Sequence, residues 1–251
     1  MTERTNASAC RAGEGEAEAR RVDAGRGVSW WTEAWPLFTK SAGIWIVMTL
    51  ILIVIFIVLG FVPLLGGLAI SLLVPVFVGG WMLAAHKLDA GGIVEVGDLF
   101  GGFREKLSPL LVLGALMLAA SLVIGLLAVM LGAGAMVGMM AGGAYQSGGG
   151  MMAGLGVGML GLLAALVLSL VVAMAVWFAP ALVVLRNVAP VEAMKASFAA
   201  CLKNAVPLLV YGVLYLVAAI VASIPFGLGW IVLMPLLMLT LYVSYKDIFG
   251  V

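Results

Sequence analysis

The side chains that could do chemistry are few, and their spacing limits them. His86 is the single histidine, beside Lys87, with no carboxylate or serine constellation to make it a working acid–base group. Asp89, Glu95 and Asp98 share one short stretch and could form a carboxylate cluster, although a solvated loop explains them as well. Cys201 has no second cysteine near it in sequence, and two cysteines build no disulfide framework. Gly101-Gly102 lacks the strand and the lysine of a phosphate-binding loop. Met136, Met139, Met140, Met151 and Met152 present soft thioethers of the kind that suit Cu(I). Their spacing is irregular and no histidine accompanies them, so flexible packing beside glycine is the competing reading. These residues supply no catalytic set and no cofactor-binding motif, and a non-enzymatic role is expected.

The elements that carry these residues are set by composition. Of 251 residues, 65% are hydrophobic and 10% charged, whereas soluble domains are about half apolar and a quarter charged. Too few polar side chains remain to cover a water-soluble surface. Thirteen Lys and Arg against twelve Asp and Glu leave no basic field for nucleic acid. A soluble enzyme, a nucleic-acid-binding domain and a secreted disulfide scaffold are excluded. An integral membrane protein with lipid as its solvent remains.

A bilayer core about 30 Å thick takes roughly 20 helical residues. Six apolar segments reach that length, at about 44–64, 67–86, 108–131, 160–184, 206–224 and 227–245. The run 44–59 lacks the alternation of a barrel strand, so the spans are helices. The expected fold is therefore all-α, polytopic, six transmembrane helices in three hairpins with interfacial amphipathic segments on the cytoplasmic side. Residues 1–28 mix five arginines and five acids without apolar periodicity and are expected to be a disordered tail, leaving 29–251 as the transmembrane domain. Every Lys and Arg falls before span one, between spans two and three, between four and five, or after span six. The opposite connections carry none, which predicts that both termini are cytoplasmic.

Weak repeats run through the chain. Pro109-Leu-Leu-Val-Leu-Gly114 returns as Pro207-Leu-Leu-Val-Tyr-Gly212, each opening a span. Pro63-Leu-Leu-Gly66 and Pro225-Phe-Gly227 predict tight turns, with Pro75 and Pro235 inside the returning spans. Two lead-ins read as amphipathic helices lying in the interface. One carries Trp30, Trp31, Trp35 and Phe38. In the other, Pro190 suits the first turn, and Val191, Met194, Phe198 and Cys201 fall near one face. Simple anchoring at headgroup depth accounts for both, with lipid or partner sensing as the functional alternative. The segment 132–159 is uncharged and rich in Gly and Met. Gly134, Gly138 and Gly142 form one small-residue zipper and Gly150, Gly154 and Gly158 another, each a groove for close helix packing. Whether this segment is a helical hairpin or a loop is open from the sequence.

Several motifs carry a resemblance: Trp35-x-Leu-Phe-x-Lys40, Gly79-Gly-Trp81 ahead of His86-Lys-Leu-Asp89, Asp98-Leu-Phe-Gly-Gly-Phe103, and Glu192-Ala-Met-Lys-Ala-Ser-Phe198. With them, residues 29–249 resemble a family of uncharacterised proteobacterial inner-membrane proteins. That family is similar to the YciC-like and glycerophosphodiester-phosphodiesterase membrane-domain group. The resemblance implies a bacterial inner (plasma) membrane location and brings no site residues. Three functions are expected in order: a membrane scaffold, accessory subunit or envelope-homeostasis factor; a permease for an uncharged or lipid-like solute; and periplasmic copper handling by the Met/Gly segment. Membrane lipids are the expected partners, with a homo-oligomer or a membrane-protein partner beside them, and no nucleic acid.

Overall fold

Long apolar runs broken by short Gly- and Pro-containing connections give a structure of helices, with no strand among the described residues. The computed structural model describes residues 19–144 and 148–250. In chain order these are α1 (Arg26–Lys40), α2 (Ala42–Gly60), α3 (Leu65–Asp89), a 3₁₀ turn (Val96–Phe100), α4 (Gly101–Glu105), α5 (Leu107–Ala144), α6 (Gly148–Trp177), α7 (Ala179–Arg186), α8 (Pro190–Lys203), α9 (Ala205–Ser223) and α10 (Trp230–Phe249). Six stretches are long and apolar enough to cross a membrane: Ala42–Gly60, Leu65–Asp89, Leu107–Gly132, Gly158–Arg186, Ala205–Ser223 and Trp230–Phe249. They overlap the six expected spans, with most ends within two or three residues, the scatter usual for frayed helix termini. The chain is a multi-pass membrane protein.

Two compact units make up the described chain. The first contains residues up to Gly114 and from Ala175 onward; the second is Ala115–Met174. In the first unit the turn at 61–64 joins α2 to α3, with Leu64 at φ 64°. The matching turn between α9 and α10 places Phe226 at φ 52° and Gly227 at φ 81°. Both expected tight turns are present. Pro75 and Pro235 are buried inside α3 and α10, where packing neighbours tolerate the lost backbone hydrogen bond. These two helices form the protein-facing core of the unit, and Trp30, Trp45, Trp81 and Tyr242 are fully buried among them.

The interfacial lead-ins are α1, the 3₁₀ turn with α4, and α8. Their packing differs in detail from the expected faces. In α1, Trp30 and Phe38 are buried in protein and Trp35 is half exposed, so only part of the tryptophan belt is left for the headgroup layer. In α8 the buried stripe is Ala193, Ser197, Ala200 and Cys201, with Val191 exposed. The smaller side chains face the protein because they allow the closer approach. The repeat is also unequal: a Cβ on Gly114 would lie 2.7 Å from the Leu72 carbonyl oxygen, whereas Gly212 faces open space.

The uncharged Gly/Met segment, 132–159, falls within the second unit. α5 is helical as far as Ala144 and α6 begins at Gly148, so 132–159 is helical on both sides of residues 145–147. At 38 residues, α5 is about 57 Å long, well beyond a hydrocarbon core of about 30 Å.

Candidate functional site

Charge in this chain collects where α1, α3 and α10 end together. On α1, Arg26, Trp30, Glu33 and Leu37 recur at helical spacing and share one face. That face meets the last two turns of α10, where Tyr242 with Lys246 and Val243 with Asp247 stand four residues apart in two adjacent rows. Between them lies a half-open cleft of about 340 Å³, lined by Arg20, Arg26, Glu33, Asp89, Lys246 and Asp247, with Pro36, Leu37, Tyr242 and Val243.

Asp247 is the hub. Its carboxylate accepts from Arg20 Nη2 at 2.9 Å, Arg26 Nε at 2.5 Å and Trp30 Nε1 at 2.9 Å. Arg26 also donates through Nη1 to Glu33 at 2.8 Å. Asp247, and then Glu33, hold the Arg26 guanidinium above its ordinary value against the opposing effect of burial. A second branch runs through Asp89, which accepts from Tyr242 Oη at 3.0 Å and pairs with Lys246. Tyr242 Oη meets His86 Nδ1 at 3.2 Å. Because the phenol donates to Asp89, the imidazole N–H donates to the phenol oxygen. The polar groups are thus committed to one another, and the arrangement fastens helix ends rather than presenting a free nucleophile or base.

The segment before α1 is drawn into the same fastening. Arg20 N donates to Ile248 O at 2.8 Å, and Arg20 Nε donates to Asp247 O. From the α8–α9 joint, Asn204 accepts from Val22 N at 2.9 Å and donates to Arg20 O at 2.9 Å, while Lys203 donates to Ala19 O at 2.6 Å. Residues 19–28, expected within the tail, are therefore packed and hydrogen-bonded, and α1 begins at Arg26. Residues 1–18 lie outside the described residues. Backbone hydrogen bonding of this kind leaves no trace in a composition, which is why the sequence placed the boundary at 28.

The candidate carboxylate cluster separates. Asp89 turns to Lys246 and Tyr242, whereas Asp98 pairs with Lys87 at 3.0 Å and caps Glu95 N at 2.8 Å. Among the described residues no three His, Cys, Asp or Glu side chains could hold a metal together. Cys201 is buried and its thiol is pushed up to about 12 by desolvation, opposed by Ser197. Of the thioether candidates, Met136 is exposed; the side chains of Met139, Met140, Met151 and Met152 lie outside those described. So do the surroundings of Gly134, Gly138, Gly142, Gly150 and Gly154, whereas Gly158 is half-buried. The residues that the sequence did not single out are Arg20, Arg26, Glu33, Asn204, Tyr242, Lys246 and Asp247. The available signal was the confinement of charge to the segments that flank the apolar spans.

The two glycine motifs prove to be packing partners. A Cβ on Gly80 would lie 2.2 Å from Leu99 O, and one on Gly102 would lie 2.1 Å from Val76 O. The 3₁₀ turn and α4 thus sit directly on the backbone of α3, with Phe77 edge-on to Phe100 and Phe103 at 6.1 and 5.2 Å. A protein-family model with the description "Domain of unknown function (DUF7847)" matches residues 41–245, from α2 to the last turns of α10. The chain belongs to the DUF7847 family. Within this DUF7847 protein the match takes in all six spans and both glycine motifs, and it begins after α1. The chain is also similar to a Burkholderia thailandensis protein named as a probable inner membrane protein, with 28% identity over 254 residues. That match covers 92% of this chain and 93% of the relative. No solved structure matches the DUF7847 chain.

Proposed function

We propose that this protein is a non-enzymatic scaffold or accessory subunit of the bacterial inner membrane, working through self-association or a membrane-protein partner. One observation carries the reading. Only 6% of the most apolar window of Gly158–Arg186 is buried within the chain, and 17% of that of Leu107–Gly132. On these helices Gly125, Gly132 and Gly156 face open space. Bare glycine backbone on an outward helix face is the surface that lets a second transmembrane helix approach closely.

Enzymatic and permease readings fit less well. Each acid or base of the cleft already has a salt-bridge or hydrogen-bond partner. Transport pathways are usually marked by ionisable groups within the spans, and here such groups fall only at span ends. The concentration of Lys and Arg at those ends supports an orientation with both termini cytoplasmic. The resemblance of the motifs around Trp35, Gly79-Gly-Trp81, Asp98–Phe103 and Glu192–Phe198 to the YciC-like group supports a relation to those membrane domains. Copper handling rests on the five methionines alone.

Native mass spectrometry of the detergent-extracted full chain tests the proposal. A discrete oligomer or a stoichiometric partner is expected, dispersed by Gly125→Leu or Gly156→Leu. A partner-free monomer that carries solute flux in proteoliposomes would replace the scaffold with a permease.

A further inference from the structure

The cleft between α1 and α10 has a charge pattern that suits one class of ligand. Its lining carries three cations and three acids, so it concentrates neither anions nor cations. The groups differ in how far they reach water. Asp247 is 10% exposed and serves three side-chain donors, which makes it internal structure. Arg20 is 59% exposed, and Glu33, which accepts from both Nη groups of Arg26, is still 45% exposed and keeps lone pairs for a further donor. Lys246, exposed by a third, commits itself to Asp89. An accessible cationic edge therefore stands beside an accessible carboxylate in a cleft of about 340 Å³, near the lower end of small-molecule sites, roughly 300–1,000 Å³.

Depth narrows the ligand further. The lining comes from the interfacial α1 and the segment before it, the last turns of α10 and the end of α3, where apolar spans give way to charge. On the same helix α1, Trp35 is half exposed. Aromatic rings and basic residues at the ends of spans mark headgroup depth. A bare phosphate there would meet Glu33 and Asp89, and a bare amine would meet the arginines. A group carrying both charges satisfies both edges.

We infer that this cleft is a binding site for an ethanolamine phosphodiester, the headgroup of a zwitterionic phospholipid. The phosphodiester lies against the exposed Arg20, and the ammonium donates to Glu33. A primary ammonium can donate to the Glu33 carboxylate, whereas a quaternary choline cannot. The cleft has one aromatic side chain, Tyr242, rather than the ring of aromatics that holds a quaternary cation.

The test uses the full chain in micelles doped with equal amounts of phosphatidylethanolamine, phosphatidylcholine and phosphatidylglycerol of matched acyl chains, read by native mass spectrometry. The ethanolamine lipid is expected to be retained about fivefold over either competitor, the effect of one partly exposed ion pair. Glu33→Gln should bring the three to parity, with folding checked by tryptophan fluorescence. Glycerophosphoethanolamine, added to lipid-free protein, separates the sources. Glu33-dependent binding of it without lipid retention keeps the chemistry and assigns it to a water-soluble diester. Equal retention of the three lipids by the wild type, together with no glycerophosphoethanolamine binding, overturns the site whether or not Glu33→Gln folds. Retention unchanged in folded Glu33→Gln overturns it too. A monomer that still prefers the ethanolamine lipid would remove the scaffold reading and leave this site standing.

Discussion

Trp30 and Asp247 lie 217 residues apart, and the indole Nε1 of the first donates to the carboxylate of the second at 2.9 Å. This bond, with Arg20 and Arg26 on the same carboxylate, closes the described chain on itself at the polar end of its spans. Asp247→Asn keeps the shape and removes the charge that both arginines face. It should destabilise the protein by about 1–3 kcal/mol, because the acceptor is nearly buried while the arginines are partly solvated. Arg20→Gln, at the exposed edge, should cost less than about 1 kcal/mol. Thermal melts in detergent, followed by tryptophan fluorescence, separate the two.

Asn204 holds the segment before α1 with both ends of its amide. Asn204→Ala leaves Val22 N and Arg20 O without these partners. Local opening at 19–22 should become easier by about 1–3 kcal/mol. Limited trypsin digestion should then cleave after Arg20 and Arg21 about tenfold faster than in the wild type, with the spans still intact by mass.

The close approach between Gly80 and Leu99 sets a contrast with an open glycine. Gly80→Ala puts a methyl group against a backbone carbonyl and should cost about 2–4 kcal/mol or abolish membrane accumulation. Gly212→Ala meets nothing within 4 Å and should be neutral or stabilising by about 0.5–1 kcal/mol through helix propensity. Expression level and melting temperature of the two variants provide the check.

Cys201 is 2% exposed and its thiol, pushed up to about 12 by burial, holds almost no thiolate at neutral pH. In a Cys10→Ser background the native protein should take up no maleimide at pH 7, and one equivalent after denaturation. Labelling of the native form would show that α8 leaves the stripe of Ala193, Ser197 and Ala200.

The spans were legible because lipid imposes a length and an apolarity that a single sequence displays directly. Pro63 and Pro225 marked turns for a local reason, since backbone chemistry stays within a few residues. The charged cleft was not legible. Asp247 reads as a charge at the end of the last span and Arg26 as part of the tail, and only the packing of α1 on α10 turns them into a pair. The apolar face of α8 was misread in part, because Val191 and Ala193 differ in size rather than in polarity, and close packing selected the smaller. The partition of charge between structure and accessible rim, Asp247 against Glu33, depends on tertiary contacts alone.

The account rests most heavily on six crossings with all the cationic ends on the cytoplasmic side. Fusions of alkaline phosphatase and green fluorescent protein, each placed at Gln146 and after Val251, test it in one experiment. The account predicts phosphatase activity with no fluorescence at Gln146, and fluorescence with no phosphatase activity after Val251. Fluorescence at Gln146, or phosphatase activity after Val251, would contradict it.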